Sequence, residues 1–465
     1  MAKIFKHRVS WRLFLLIGAE SALVIGAVVL AAWLRLGPSA WALMENEAGW
    51  WKAALVAAVC QLCLYYSDLY DLRIVADRRE LFVRALQSLG AASLILAVLY
   101  YVFPELVLGR GVFFIAAAFA VAIIIGWRMA FEWLAKRARP AERLLLVGTG
   151  VAAVGLALEL HDRRQELGVE IVGFVDPDGL GGEAPLVSPG IVGTIDDIPR
   201  IVRDADVDRV VVSLADARGK LPMDKLLDMK LSGVQFDHLA TVYEEYTGKI
   251  AVENLRPSWL IFSEGFRKTP SLTAAKRAVD VVAATVGLLV AMPVMLLMAL
   301  AIKLTSPGSV LYHQVRVGLQ GRDFRVHKFR SMRADAEAAT GAVWAKAGHD
   351  PRVTRVGRFL RRSRIDELPQ LWNVLVGDMS FVGPRPERPE FVQDLTKQIP
   401  FYGQRHVLRP GVTGWAQVRY AYGASVEDSM EKLQYDLFYI KNLSLALDAY
   451  IILETIKTVL MRRGS

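Results

Sequence analysis

The sequence predicts a membrane protein of mixed α and α/β class, and three observations carry that reading. Four long apolar runs fill the first third of the chain, at about residues 13–34, 50–66, 82–103 and 112–134. Strand-like and helix-like segments alternate behind a glycine turn at residues 143–150. A fifth apolar run, 278–302, precedes a last third rich in arginine and short strands. Composition agrees, since 54% of the 465 residues are hydrophobic and mean hydropathy is +0.32, too apolar for an ordinary soluble enzyme.

Each of the first four runs has about the 20 residues that a helix needs to cross a bilayer, the second being near the lower limit. Basic residues orient them. Lys3, Lys6, Arg8 and Arg12 precede the first run, Arg73, Arg78 and Arg79 lie between the second and third, and Lys136, Arg137 and Arg139 follow the fourth. The other two connections hold only Arg35 and Arg110. Basic loops stay in the cytoplasm, so both ends of the four-helix unit, residues 1–139, are expected there. The first run does not read as a signal peptide, because three comparable runs follow and no small-residue cleavage site stands out. A net charge of +9 suits work beside anionic lipid. No recognition motif supports a nucleic-acid partner. Cys60 and Cys63 have C-x-x-C spacing but sit inside the second run without a second pair or a nearby His, so they read as helix packing.

Residues 143–150, Arg-Leu-Leu-Leu-Val-Gly-Thr-Gly, read as a buried strand entering a glycine turn. A helix over 151–167 and a strand over 169–175, ending at Asp176, follow; strands at 209–214 and 234–238 then alternate with helices at 196–204 and 222–231. This pattern predicts a Rossmann-like parallel α/β domain over 140–255. Gly148, Gly150 and Gly155 are spaced G-x-G-x-x-x-x-G rather than G-x-G-x-x-G. The turn could still offer N–H groups to a phosphate, with Asp176 where a ribose-binding acid would stand. These four are the candidate contacts for an unidentified nucleotide. No Tyr has a Lys four residues later, so the Tyr-x-x-x-Lys pair of short-chain epimerases and dehydratases is missing.

After a linker over 256–275, the fifth apolar run is interrupted by Asp280 and Pro293. Lys276 and Arg277 precede it, and Lys303, Arg316 and Arg322 follow. A straight crossing would carry the arginine-rich last third outside, against the positive-inside tendency. Pro293 removes a backbone hydrogen bond and clashes with the preceding turn, so a bend is expected at Met292-Pro293 and a return to the same side, a re-entrant hairpin. Asp280 is expected to pair with Lys276 or Arg277 near the headgroups.

The last third, 276–465, is expected to be a mixed α/β cytoplasmic domain. Short strands are expected at 310–321 and 324–332, with Lys328 and Arg330 on one face. Asp366 and Glu367 follow six arginines between Arg352 and Arg364. Alone, such a pair is more often a solvated salt-bridge network. Facing so much positive charge, it also suits phosphate chemistry, in which cations hold the phosphates and one carboxylate attacks or takes a proton. Planar guanidinium forks grip phosphate oxygens two at a time. Pro369 fits the first turn of a helix beginning near Asp366, which would set both acids at its positive end. Neighbours on a helix diverge by about 100°, so the two acids are expected to do different jobs. Arg385 stands between Pro384 and Pro386 in a rigid loop that could hold a guanidinium in place.

Five stretches carry a resemblance: Lys276-Arg-Ala-Val-Asp280, Lys328-Phe-Arg-Ser-Met332, Asp366-Glu-Leu-Pro-Gln-Leu-Trp-Asn373, Phe381-Val-Gly-Pro-Arg-Pro386 and Arg409-Pro-Gly-Val-Thr-Gly-Trp415. Through them the last third resembles the bacterial sugar transferase family, polyprenyl-phosphate sugar-1-phosphate transferases that start surface-polysaccharide assembly. The whole chain is similar to the large subfamily with four spans and a Rossmann-like module. Residues 259–267 and 419–428 resemble members associated with exosortase-type exopolysaccharide loci.

The resemblance implies Asp366 as nucleophile on the β-phosphate of a UDP-sugar, release of UMP, and attack by polyprenyl phosphate on the enzyme-bound phosphosugar. Glu367 would act as a base or orient the acceptor. Mg²⁺, with Asp366 as its protein ligand, would offset the diphosphate charge. Lys328, Arg330, Arg364 and Arg385 would contact phosphate or nucleotide. It further implies a homodimer in the bacterial inner membrane, in contact with lipid, with the catalytic domain on the cytoplasmic face. A helix over 446–461 is amphipathic enough to lie on that surface. The family usually places Ser before the hairpin proline, where this chain has Met292, so no hydroxyl is at hand for the freed backbone. Two other readings stay open: a membrane-bound nucleotide-sugar dehydratase or epimerase acting through the middle domain, and a non-enzymatic scaffold for polysaccharide assembly. The sugar is open too.

Overall fold

The computed structural model describes residues 2–4, 7–9, 11–70, 78–137, 142–176, 189–213, 223–252, 263, 265–266, 268–333, 336, 352–420, 423 and 425–460. Some expectations fall partly outside these residues: Lys6, Arg73 and Arg139, the linker stretch 256–262, positions 214, 222 and 461 at element ends, and 421, 422 and 424. The chain divides into two compact units, Arg8–Leu239 and Ala240–Ser465, apart from a few N-terminal residues.

In the first unit, helices Trp11–Leu36, Arg78–Val102 and Arg110–Arg137 each hold an apolar stretch long enough to cross a bilayer. The second run lies in helix Gly49–Tyr66, and the shorter helix Ser39–Asn46 before it meets it at 81°. Eighteen residues at about 1.5 Å each reach ~27 Å, just short of the hydrocarbon thickness, as expected for the shortest run. Small residues such as Ala31, Ala53, Ala57, Ala85 and Ala116 line the bundle core and let the helices approach closely. Cys60 and Cys63 are free thiols buried in that packing. A buried ion pair crosses the bundle: Arg128 Nε lies 2.6 Å from Glu20 Oε1, and Tyr70 donates to Glu20 Oε2 at 2.7 Å. Each charge offsets the other's desolvation, which makes their burial tolerable.

After these helices in sequence, five strands form one parallel sheet in the order Ile191–Thr194, Val169–Asp176, Glu142–Val147, Arg209–Val212, Gln235–His238. The strand that comes first in sequence is central and the order reverses beside it, the doubly wound arrangement of a dinucleotide fold. Leu144, Leu145, Leu146 and Val147 are all buried, as a strand covered on both faces requires.

The change of unit at residue 239 precedes the boundary at 255 that the sequence suggests. The difference is helix Leu239–Thr247. Its Glu244 accepts from Lys441 at 2.5 Å and from Asn442 at 3.1 Å, and Ile250 and Val252 join the core formed by helix Val426–Lys441.

The fifth apolar run lies in a single helix, Pro270–Thr305, capped by Thr269 and uninterrupted at Pro293. The expected hairpin therefore has no loop between two arms. Both halves of this helix pack on the second unit. Ala284 clusters with Val326, Val374 and Met379, whereas Ile302, Met295 and Met298 cluster with Phe329 and Leu360. Val326 and Phe329 are three residues apart on strand Asp323–Phe329, about 10 Å, while Ala284 and Ile302 are about 27 Å apart along a straight helix. The two clusters thus lie closer together on the strand than a straight helix would place them. Val282, Val286, Leu289, Val290, Leu296 and Leu297 remain exposed along it, an apolar surface far larger than water tolerates.

The expected partners of Asp280 need correction. Asp280 accepts the Phe381 N–H at 3.0 Å, Lys276 pairs with Asp448 at 2.6 Å, and Arg277 donates to the Val374 and Leu375 carbonyls. The helix base is sunk into protein rather than headgroups, so each charge finds a protein partner, and Arg277 satisfies the last carbonyls of helix Gln370–Val376.

Candidate active site

A hairpin, a 3₁₀ turn and a glycine-bounded loop meet around the acidic pair. Strands Leu311–Val317 and Asp323–Phe329 pair antiparallel, and the second carries Lys328. Fully buried Asn373 fixes that strand, since its Nδ2 donates to the Arg325 carbonyl at 2.7 Å and its Oδ1 accepts the His327 N–H at 3.0 Å. Strands Ser380–Val382 and Gly411–Thr413 run parallel and deliver Arg385 just beyond. Backbones here touch: a Cβ on Gly411 would stand 2.2 Å from the Gly383 nitrogen, so neither motif glycine tolerates a side chain. Arg405 holds the Arg385 carbonyl at 3.1 Å and is itself buried against Asp436 at 2.8 Å.

Helix Gln370–Val376 begins later than the sequence suggests, with Pro369 as its cap. Asp366 and Glu367 lie before it, in the 3₁₀ turn Ile365–Glu367 entered through Arg364 at φ +58°. Adjacent residues on so tight a turn diverge by about 120°, and the two acids have separate surroundings. Glu367 Oε1 accepts from Lys328 at 2.9 Å and Arg385 at 3.2 Å, and Arg364 approaches Oε2 at 3.9 Å. Burial alone would raise its pKa, but Lys328, Arg385 and Arg364 outweigh that and hold Glu367 far below the usual carboxylate range. Asp366 goes the other way. Burial, then the charge of Glu367, push it up to about 6 against the pull of Lys328, Arg361 and Arg364. Its Oδ1 is buried without a hydrogen-bond partner among the described residues.

That orphan oxygen is the point at which the site fits Mg²⁺. No cluster of three His, Cys, Asp or Glu side chains that could hold a metal occurs among the described residues. Mg²⁺ is commonly held by one or two carboxylates together with substrate phosphate oxygens and water, a set to which Asp366 could contribute.

Arg330 is corrected. It is just past the strand end, is buried, and donates to the Pro307 carbonyl at 2.7 Å and to both oxygens of Ser306 at 2.9 Å. It therefore ties down the end of the long helix rather than sharing a face with Lys328. In the middle domain, Gly148 has φ +115° and its N–H is spent on the Val175 carbonyl at 2.9 Å. Gly150 caps helix Val151–Asp162, and Asp176 is buried at the end of its strand. A Cβ on Gly155 would meet no described atom within 4 Å, so close packing does not demand that glycine.

A family profile described as bacterial sugar transferase matches residues 271–462, and one described as a CoA-binding domain matches 66–221. The chain is 33% identical over 399 residues to an undecaprenyl-phosphate glucose phosphotransferase of Komagataeibacter xylinus, covering 78% of this chain and 72% of that protein. The chain belongs to the bacterial sugar transferase family. A UDP-glucose:undecaprenyl-phosphate glucose-1-phosphate transferase of Escherichia coli is 34% identical over 68% of this chain and 67% of its own. A UDP-N-acetylgalactosamine-undecaprenyl-phosphate N-acetylgalactosaminephosphotransferase of Aeromonas hydrophila is 44% identical over 50% of this chain, and the match spans 54% of that protein.

Within the transferase segment, sequence reasoning on single residues missed Asn373 and Arg361. Arg361 bonds Ser331 Oγ at 3.1 Å and acts electrostatically on Asp366. Its one signal was membership of the arginine run. The site's acids, Lys328, Arg364 and Arg385 converge; Arg330 stands apart.

Proposed function

We propose that this transferase moves a sugar-1-phosphate from a UDP-sugar to a polyprenyl phosphate through a covalent intermediate on Asp366. In the first step an Asp366 oxygen attacks the β-phosphorus, the bond to the oxygen bridging the α-phosphate breaks, and UMP leaves with that electron pair. In the second, an oxygen of polyprenyl phosphate attacks the same phosphorus and the bond to Asp366 breaks, restoring the carboxylate. The observation that carries this reading is the buried Oδ1 of Asp366, without a hydrogen-bond partner among the described residues, beside a Glu367 bonded by Lys328 and Arg385.

A pKa of about 6 leaves Asp366 mostly ionised at neutral pH and more nucleophilic than an ordinary carboxylate. Glu367, held so low, is a poor base, which favours a positioning role: its charge gathers Lys328, Arg385 and Arg364 where the diphosphate would lie. Bound Mg²⁺ would neutralise charge on the diphosphate. The relatives' names favour undecaprenyl phosphate as acceptor and glucose or N-acetylgalactosamine among the donors to try first. The packing of both helix halves on one globular body supports a re-entrant seat, with the site at the cytoplasmic face of the inner membrane. A homodimer belongs to the same proposal.

The test is UMP release from a panel of UDP-sugars by the purified full-length protein. Without acceptor, one UMP per competent site should appear and then stop; with polyprenyl phosphate, turnover should continue. Asp366→Asn should abolish both phases. Steady turnover by that variant, free of deamidated protein, would remove Asp366 from the role.

A further inference from the structure

The short helix Arg355–Arg362 carries a face that the transfer chemistry leaves unused. Val356 and Leu360, on its inner side, pack with Ile302, Met295 and Met298 of the long apolar helix. At about 100° per residue, Arg355, Arg358, Phe359 and Arg362 share the outer side, while Arg361 turns toward Ser331. Phe359 is 56% exposed among those arginines, and the helix contains no acid. A second exposed pair, Trp372 and Val376, stands one turn apart on helix Gln370–Val376, whose Leu371 lies against Gly287 of the same long helix. Exposed aromatic rings therefore flank the apolar helix beside each of its halves.

Aromatic rings gather at the boundary between acyl chains and headgroups, and arginines beside them find lipid phosphates. We propose that the outer face of Arg355–Arg362 docks on anionic phospholipid headgroups, with Phe359 as an apolar wedge and Arg355, Arg358 and Arg362 as phosphate contacts. Two observations select this occupant: a helix of arginines without an acid around an exposed ring, and continuity with a helix whose exposed surface is apolar. The inference rests on the membrane seat of that helix. A nucleotide base stacked on Phe359 and a second copy of the chain are the competing occupants.

The test uses the full-length chain with Cys60→Ala and Cys63→Ala, carrying Phe359→Cys labelled with an environment-sensitive dye. It is placed in nanodiscs of phosphatidylcholine alone or mixed with phosphatidylglycerol, with brominated acyl chains as quencher. Emission should shift to the blue and be quenched when anionic lipid is present. Adding Arg355→Gln, Arg358→Gln and Arg362→Gln should reduce the bound-to-unbound ratio of the face about fivefold per arginine, and molar salt should act in the same direction. A label at Lys397→Cys, on exposed helix Pro389–Gln398, should stay water-like.

Water-like, unquenched emission at residue 359 in both lipids would overturn the proposal. So would equal quenching with and without anionic lipid, a shift that needs UDP, or a shift without bromine quenching that follows protein density. Circular dichroism reports whether the triple variant folds; if it does not, the lipid and salt titrations of the Phe359→Cys chain still decide. No turnover enters the readout, so failure of the transferase reading would appear separately as absent UMP release.

Discussion

Asp366 and Glu367 are adjacent in sequence and opposite in chemistry, and pH separates them. Protonation of Asp366 should cut the donor half-reaction as pH falls through about 6. Lys328 lowers that pKa and Glu367 raises it, so Lys328→Ala should move the acidic limb to higher pH and Glu367→Gln to lower pH. Initial UMP bursts measured against pH in the three proteins check both signs; limbs that do not move would assign the titration elsewhere. Stability runs the other way for this group. The folded state binds its proton at higher pH than the unfolded chain, so Asp366 is destabilising above about 6, and that penalty disappears as pH falls below the ordinary carboxylate range. That Lys328 and Arg385 gather at the acidic pair was legible because few patterns other than anion chemistry set carboxylates among so many cations. Arg330 was not, because a two-residue repeat predicts a shared face only while the strand lasts, and this strand ends at Phe329.

Elements were legible where their period or length was strong. The apolar runs became helices and the alternating middle segment became a parallel sheet, whose strand order periodicity does not specify. Local sterics predict a bend at Pro293, and a bend leaves a helix continuous: Pro293 lies inside one helix, whose following turns pack through Met295, Met298 and Ile302. The end of that helix is held by Arg330, so Arg330→Ala should leave buried carbonyls unpartnered and cost about 2–3 kcal/mol. A lowered thermal midpoint in detergent, with unchanged KM for the UDP-sugar, is expected. A raised KM at unchanged midpoint would instead make Arg330 a nucleotide contact. Gly411→Ala should be at least as damaging, since its methyl group would meet backbone rather than a movable side chain.

For the whole molecule, charge and hydropathy made the order of apolar helices, parallel sheet and transferase segment along the chain readable. The attachment of residues 240–252 to the transferase core was not, because Glu244 finds Lys441 only after the chain has folded. Membrane topology is the prediction at this scale. In a chain with Cys60→Ala and Cys63→Ala, Ser271→Cys and Ser309→Cys, one beyond each end of the apolar run, should both react from the cytoplasmic side. Labelling from opposite sides would require a straight crossing. The most direct test of the central claim is mass spectrometry on protein mixed with UDP-sugar alone and quenched within one turnover. A sugar-phosphate should be found on the peptide containing Asp366, and it should vanish when polyprenyl phosphate is added. Product formation at full rate by a preparation that never carries that mass would contradict the account.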